Sequence, residues 1–266
     1  MAVALAFLKR DFFQNISYRV SFFLQFFGIF FSVAAFYFVG QFFGPAVAPK
    51  LESYGGDYFA FVLIGLAFGS YMSIALSGFA QSIREGQMMG TLEIMLLSPT
   101  RLSTILLSSS LWDYLFTTFR VMVYLAFGLL FGVNLTGANI PAALAVLLLS
   151  TVSFSALGIL AAAFVLVLKK GDPVTWLFGG LSGLMAGTYY PISALPDWLQ
   201  PFSRLFPLTY SLEGMRLAML RGYSVLEVGW DLLALLGFAV FFLPLSLLIF
   251  NQALRRAKKE GSLAQY

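Results

Sequence analysis

An all-α, polytopic membrane protein is the fold this sequence predicts, and three observations predict it. Hydrophobic residues fill 60% of the 266 positions, charged residues fill only 11% where about 25% is usual for soluble domains, and the uncharged positions gather in long runs. As a helix rising 1.5 Å per residue, a run of about twenty residues crosses the roughly 30 Å of bilayer hydrocarbon. The length accommodates six such spans in a single transmembrane domain covering residues 1–266. Cys and His are both absent, which removes disulfides, thiolate nucleophiles, Cys/His zinc sites, Ser-His-Asp triads and imidazole proton relays together.

Residues 2–19 precede the first run. At 100° per residue Leu5, Leu8, Phe12 and Ile16 line one face while Arg10, Asp11, Gln14 and Ser17 gather opposite, the pattern of an amphipathic helix lying in the membrane interface. A cleaved signal peptide would carry a shorter apolar region placed sooner, so the leader is expected to be retained. The first span covers about 20–43, between Arg19 and Gly44-Pro45, and the second about 58–83, between Asp57 and Arg84. The third, about 111–133, is interrupted by Asp113 and Arg120; the fourth, about 140–168, ends at Lys169-Lys170. The fifth, about 173–190, opens on Pro173, whose missing N–H would have no partner in a first turn anyway. The sixth, about 231–250, precedes the basic tail of Arg255, Arg256, Lys258 and Lys259.

Orientation follows from the Lys/Arg bias of the connecting segments. With the N-terminus inside, Lys9, Arg10, Arg19, Arg84, Arg101, Lys169, Lys170 and the four tail cations are cytoplasmic, eleven in all. Only Lys50, Arg204, Arg216 and Arg221 lie outside, with Arg120 inside a span. The expectation is a multi-pass protein of the cell (inner) membrane with both termini cytoplasmic.

Two connecting segments are unusual. Residues 84–100, between the second and third spans, contain Glu85, then Gly90, Thr91, Leu92 and Glu93, then Met95, Leu96, Ser98 and Pro99. Gly90 fits a helix N-cap with Glu93 at the third helical position, where a carboxylate meets unpaired amides, and Pro99 disfavours helical geometry at Ser98. The result is a helix of about two turns, roughly 10 Å, which is marginal alone and must dock against something. It is either a loop helix packed on its own spans or a knob for a partner subunit. Residues 191–228, after the fifth span, carry Pro191, Pro196, Pro201 and Pro207 together with Ile192, Leu195, Trp198, Leu199, Phe202, Leu205 and Phe206. The prolines forbid one continuous helix and the apolar residues do not suit a free loop. Short broken helices re-entering the outer leaflet satisfy both, provided protein shelters their irregular backbone. Glu213 and Arg216 follow on the same segment.

Together the leader, the six spans, the Gly90-Thr91-Leu92-Glu93 core and the run Tyr190-Pro191-Ile192-Ser193, Leu195-Pro196, Pro207-Leu208-Thr209 and Glu213-Gly214-Met215-Arg216 resemble the membrane subunit, or permease, of the type-2 ABC exporter family. The resemblance covers nearly the whole chain. It implies a homo- or heterodimer of permeases in membrane lipid, no nucleic-acid partner, and an ABC ATP-binding subunit that carries ATP and Mg on another chain. The segment around Glu85 and 90–99 would be the coupling helix. The chain agrees by omission, since it has no phosphate-loop pattern, and no catalytic or metal site is expected on it. The implied function is export of a drug-like, lipid or other small hydrophobic substrate, or alternatively of polysaccharide or lipid-linked glycan. An ion-coupled carrier or channel without an ATPase predicts matching halves with paired intramembrane carboxylates; the sequence shows no evident repeat and one acid in a span.

Three constellations are candidates for function. Asp113, Thr117, Arg120 and Tyr124 recur at four, three and four residues and so share a helical stripe. A charge within a span is rare and faces protein or water, so this stripe is either a polar lock of Arg120 with Asp113 or part of coupling or passage. Gly179, Gly183 and Gly187 recur every four residues, which lets helices approach closely; the face packs within the subunit, meets a second subunit, or lines the pathway. Phe22, Phe26 and Phe30 form an aromatic stripe on the first span that faces lipid, packs on another helix, or offers a wall to apolar or sugar substrates.

Overall fold

A computed structural model describes residues 2–17, 19–90, 104–105, 108, 110–168 and 173–259. Five helices among them are long and apolar enough to cross a membrane. Following α1 (Ala2–Ser17), they are α2 (Arg19–Val47), α3 (Tyr58–Met88), α4 (Leu111–Leu130), α5 (Ile140–Leu168) and a last helix, Gly229–Lys259. No strand occurs among the described residues.

The expected fifth span differs. It consists of Pro173–Thr175 (α), Trp176–Gly180 (π) and Leu181–Met185 (α), together α6. Helix stops at Met185 rather than 190 because Gly187 adopts a left-handed φ of 79°, which bends the chain back until Gly187 packs on the Tyr190 carbonyl and on Ile192. Pieces of 3, 5 and 5 residues reach about 20 Å, short of the hydrocarbon thickness. Beyond it come a 3₁₀ turn at Ile192–Ala194, α7 (Gln200–Ser203), α8 (Pro207–Leu220) and α9, the last helix.

Other ends move by a few residues. Pro45 lies inside α2, in its last turn, rather than beyond it, and a 3₁₀ turn, Ala48–Tyr54, follows. Gly132, with φ 95°, ends α4 early. The tail cations Arg255 and Arg256 continue α9 past Pro244 rather than following it. Gly90 closes α3: its φ is 65°, a left-handed backbone common where helices end, and its N–H donates to the Gln87 carbonyl. The helix expected to start at Gly90 lies outside the described residues.

At the centre lies α3, flanked by α5, α4 and α8, while α9 runs along the far side of α5. Lipid gives no hydrophobic drive between helices, so close approach must come from small side chains. A Cβ on Gly158 of α5 would lie 2.1 Å from the Ala75 carbonyl oxygen of α3, and one on Gly128 of α4 would lie 2.1 Å from Leu63. The core has two levels. Met72, Leu76, Phe79 and Ile83 of α3 pack with Phe154–Leu166 of α5 and with Leu208 and Leu212, while Phe59–Tyr71 pack with Ala142, Val146, Met215 and Met219. The short α8 therefore runs beside α3 from the middle of the bundle to one end. That end also gathers Tyr54 and residues 131–139, where the Asn139 N–H meets the Ala218 carbonyl at 2.9 Å.

Candidate functional site

The segment after α6 and the first two turns of α3 meet at one guanidinium. Pro207 sits at the start of α8, where φ near −65° is required and an N–H is not; six and nine residues further, Glu213 and Arg216 are separated by three and share a face. Arg216 is 2% exposed. Its Nε donates to the Phe61 carbonyl at 3.2 Å, Nη1 to the Gly187 carbonyl at 2.9 Å and Nη2 to the Thr188 carbonyl at 3.0 Å. Its Cζ stands 3.4 Å from the centre of the Phe61 ring. The Gly187 and Thr188 carbonyls lie just past the end of α6, where helix carbonyls lack partners and a cation is favoured.

Two neighbours complete this knot. Tyr54, from the 3₁₀ turn after α2, donates its phenolic hydrogen to Glu213 Oε2 at 2.5 Å. Burial raises the Tyr54 phenol well above its ordinary value, and the Glu213 carboxylate adds to the rise. Burial lowers Arg216 to about 9, against the opposing pull of Tyr54 and Glu213; it stays charged at neutral pH. Gly65 makes room for the fork, since a Cβ there would lie 2.5 Å from the Thr188 carbonyl oxygen and 2.7 Å from Nη2. The sequence singled out Glu213 and Arg216 as part of an outer segment. Their partners Tyr54, Phe61 and Gly65 were not singled out, because a backbone carbonyl acceptor leaves no mark in a sequence.

Beneath the knot is a cleft of about 400 Å³ between α3 and α6. Gly65, Gly69, Met72 and Ser73 line one wall, Thr175, Gly179, Gly180 and Gly183 the other, and Thr188, Tyr189 and Leu208 close the end toward Arg216. Gly179 rests 3.5 Å from Leu76 by its Cβ position, whereas nothing lies within 4 Å of a Cβ on Gly180 or Gly183. Gly187 leaves the helical stripe for the turn described above, so the three glycines do not form one face. The π turn of α6 widens the helix along this wall, a distortion common at functional positions.

At the other end of α6 a recess of about 550 Å³ is lined by Ser77, Gln81, Arg84, Glu85, Met88, Thr175 and Trp176. Gln81 donates to Glu85 at 3.0 Å, holding that carboxylate beside the end of α3. Glu85 and Gly90 therefore border this recess or follow it directly; Thr91, Leu92, Glu93, Met95, Leu96, Ser98 and Pro99 lie outside the described residues.

On α4, Thr117 and Tyr124 are buried and Asp113 and Arg120 half-buried, in the order their spacing predicts. Asp113 occupies the first turn, with Oδ2 near Gly78 of α3. Arg120 Nε has no hydrogen-bond partner among the described residues. Cross-helix polar contacts occur beside the stripe: Tyr71 donates to Thr118 at 2.6 Å, and Tyr114 and Ser155 hydroxyls meet at 2.7 Å. Phe26 and Phe30 of α2 pack edge-on against Phe119 and Phe127 of α4, at ring separations of 5.6 and 5.5 Å; the side chain of Phe22 lies outside the described ones. Phe23, Phe27 and Phe31 point outward and are exposed. Pro191 is buried before its 3₁₀ turn and Pro196 exposed.

The profile of a family described as ABC-2 family transporter protein matches residues 46–248, from the end of α2 through most of α9. No curated protein matches the chain.

Proposed function

The chain belongs to the ABC-2 family of transporter proteins, a multi-pass membrane subunit of an ABC transporter with an ABC ATP-binding partner, and from that premise we propose that the α3–α6 cleft is the part of its transport pathway that ATP moves. The cleft carries the reading: it is walled by glycines with no side chain facing Gly183, bordered by a π turn, and roofed by the carbonyl-bearing turn that Arg216 holds. A displacement of α6 would change it, with Phe178, Leu181 and Met185 repacking against the core as it moves.

Two permeases would associate, each with an ATP-binding subunit docked on 84–100, so that Glu85 and the recess beside it receive the ATPase motion. ATP biases the transporter only through its different affinity for the two states. Both termini are cytoplasmic in this proposal and α1 lies in the interface, its Phe12 edge-on to Trp112 of α4 at 5.5 Å. α6, though short, counts as a crossing because the outer turns 186–206 and α8 dip into the leaflet to meet it, which makes six. The substrate is drug-like, lipid or otherwise small and hydrophobic, in keeping with a cleft whose lining is mostly apolar, and it leaves the cytoplasm or inner leaflet. Co-expression with a candidate ABC ATP-binding subunit from the same genome tests the assembly. The two should co-purify, and transport in proteoliposomes should require ATP; a chain that retains no ATPase and transports without ATP would overturn the proposal.

A further inference from the structure

Near the Lys/Arg-rich end of the bundle, α5 and α9 part around a groove of about 270 Å³, on a different pair of helices from the cleft. Ala163, Phe164 and Val167 line it from α5, and Ile249, Ala253 and Arg256 from α9. The two alanines are buried and small and set its floor, whereas Phe164 and Val167 are exposed walls. Residues 249, 253 and 256 are spaced by four and three, so they form one stripe along α9. Apart from Gln252 on its rim, the groove therefore runs apolar for about two turns, roughly 10 Å, and ends at a guanidinium. Arg255 and Lys259 are exposed in the same turns of α9.

An apolar channel that ends in clustered cations complements an amphiphile with an acyl chain and an anionic head. A guanidinium takes two phosphate oxygens at once, and basic residues beside a span draw anionic lipids from the inner leaflet. A zwitterionic lipid offers the same chain but brings its own ammonium to compete. We propose that this groove is a binding site for an anionic phospholipid, with one acyl chain along Phe164 and Val167 and the phosphate on Arg256. The site goes beyond the transport pathway and does not depend on it.

Native mass spectrometry of the full-length protein in mild detergent, with any ATP-binding subunit that accompanies it, tests the site. Phosphatidylglycerol and phosphatidylcholine of matched chains are offered at equal concentration. Wild type should retain phosphatidylglycerol about tenfold better, and Arg256→Glu should abolish that preference, whereas Arg255→Glu, which does not line the groove, should change it less than about twofold. Val167→Trp, filling the groove from an exposed wall, should lower retention of both lipids without changing Tm. A photo-crosslinker at Gln252, which borders the same groove, should yield a lipid adduct. Equal retention of the two lipids by wild type, equal losses from Arg255→Glu and Arg256→Glu, or a protein adduct at position 252 would overturn the proposal.

Discussion

Arg216 satisfies carbonyls from two separate segments, Phe61 in α3 and Gly187 with Thr188 after α6, from a position with no access to water. Removing it strands those acceptors and the neighbouring Glu213. Arg216→Met should destabilise by about 3–5 kcal/mol, read as a Tm lower by roughly 10 °C, while Arg216→Lys, which keeps charge but not the fork, should fall between. Gly65→Ala should resemble Arg216→Met, because its Cβ displaces the same guanidinium and carbonyl; a Tm unchanged in both would refute this account of the knot. Tyr54 gives a pH dependence of definite sign. Its folded pKa is raised, so the unfolded chain loses the phenolic proton first and the contribution, complete below about pH 10, erodes as pH rises above it. Tyr54→Phe should make the alkaline slope shallower than in the wild type, which thermal melts between pH 9 and about 11 would detect. Of this site, Glu213 and Arg216 were legible as charged residues in an apolar segment. What they bind was not, since two of the acceptors belong to a turn whose bend depends on Gly187.

Among the elements, the charge-free runs at 58–83 and 140–168 were readable because flanking charges mark where hydrocarbon ends, and α3 and α5 cover them. α6 was misjudged in extent because periodicity assumes 3.6 residues per turn, and neither the π turn at Trp176–Gly180 nor the left-handed Gly187 has a distinct composition. The two kinds of glycine on these helices should respond oppositely to substitution. Gly158→Val forces a Cβ against the Ala75 carbonyl, and overpacking at that contact between α5 and α3 should cost at least about 1–3 kcal/mol. Gly183→Leu adds a Cβ that meets nothing within 4 Å and extends the rest of its side chain into the cleft. It should leave Tm nearly unchanged and lower ATP-dependent transport about tenfold; a large Tm loss, or transport at the wild-type rate, would contradict that assignment. The pair separates packing glycines from pathway glycines by thermal melts and proteoliposome transport run side by side.

For the whole molecule, exposed apolar surface lies mainly on α2 and α9, where only 11% and 17% of the most apolar stretch is buried, against 72% for α3. Surface of that kind suits lipid and a second subunit, and α2 is joined to the knot through Tyr54 at the end of the 3₁₀ turn after it. Motion of α6 would thus reach α2, α3 and α8 through the hydrogen bonds of the knot, and α9 through the packing of Phe178 on Phe242. The absence of cysteine makes that motion directly measurable. In the background of the otherwise native sequence, Gly183→Cys places one thiol in the cleft, and its labelling rate by a small maleimide can be followed in the complex with the ATP-binding subunit. The account predicts that the rate changes several-fold between the nucleotide-free and ATP-trapped states. An identical rate in both states, with the ATPase subunit bound, would contradict it.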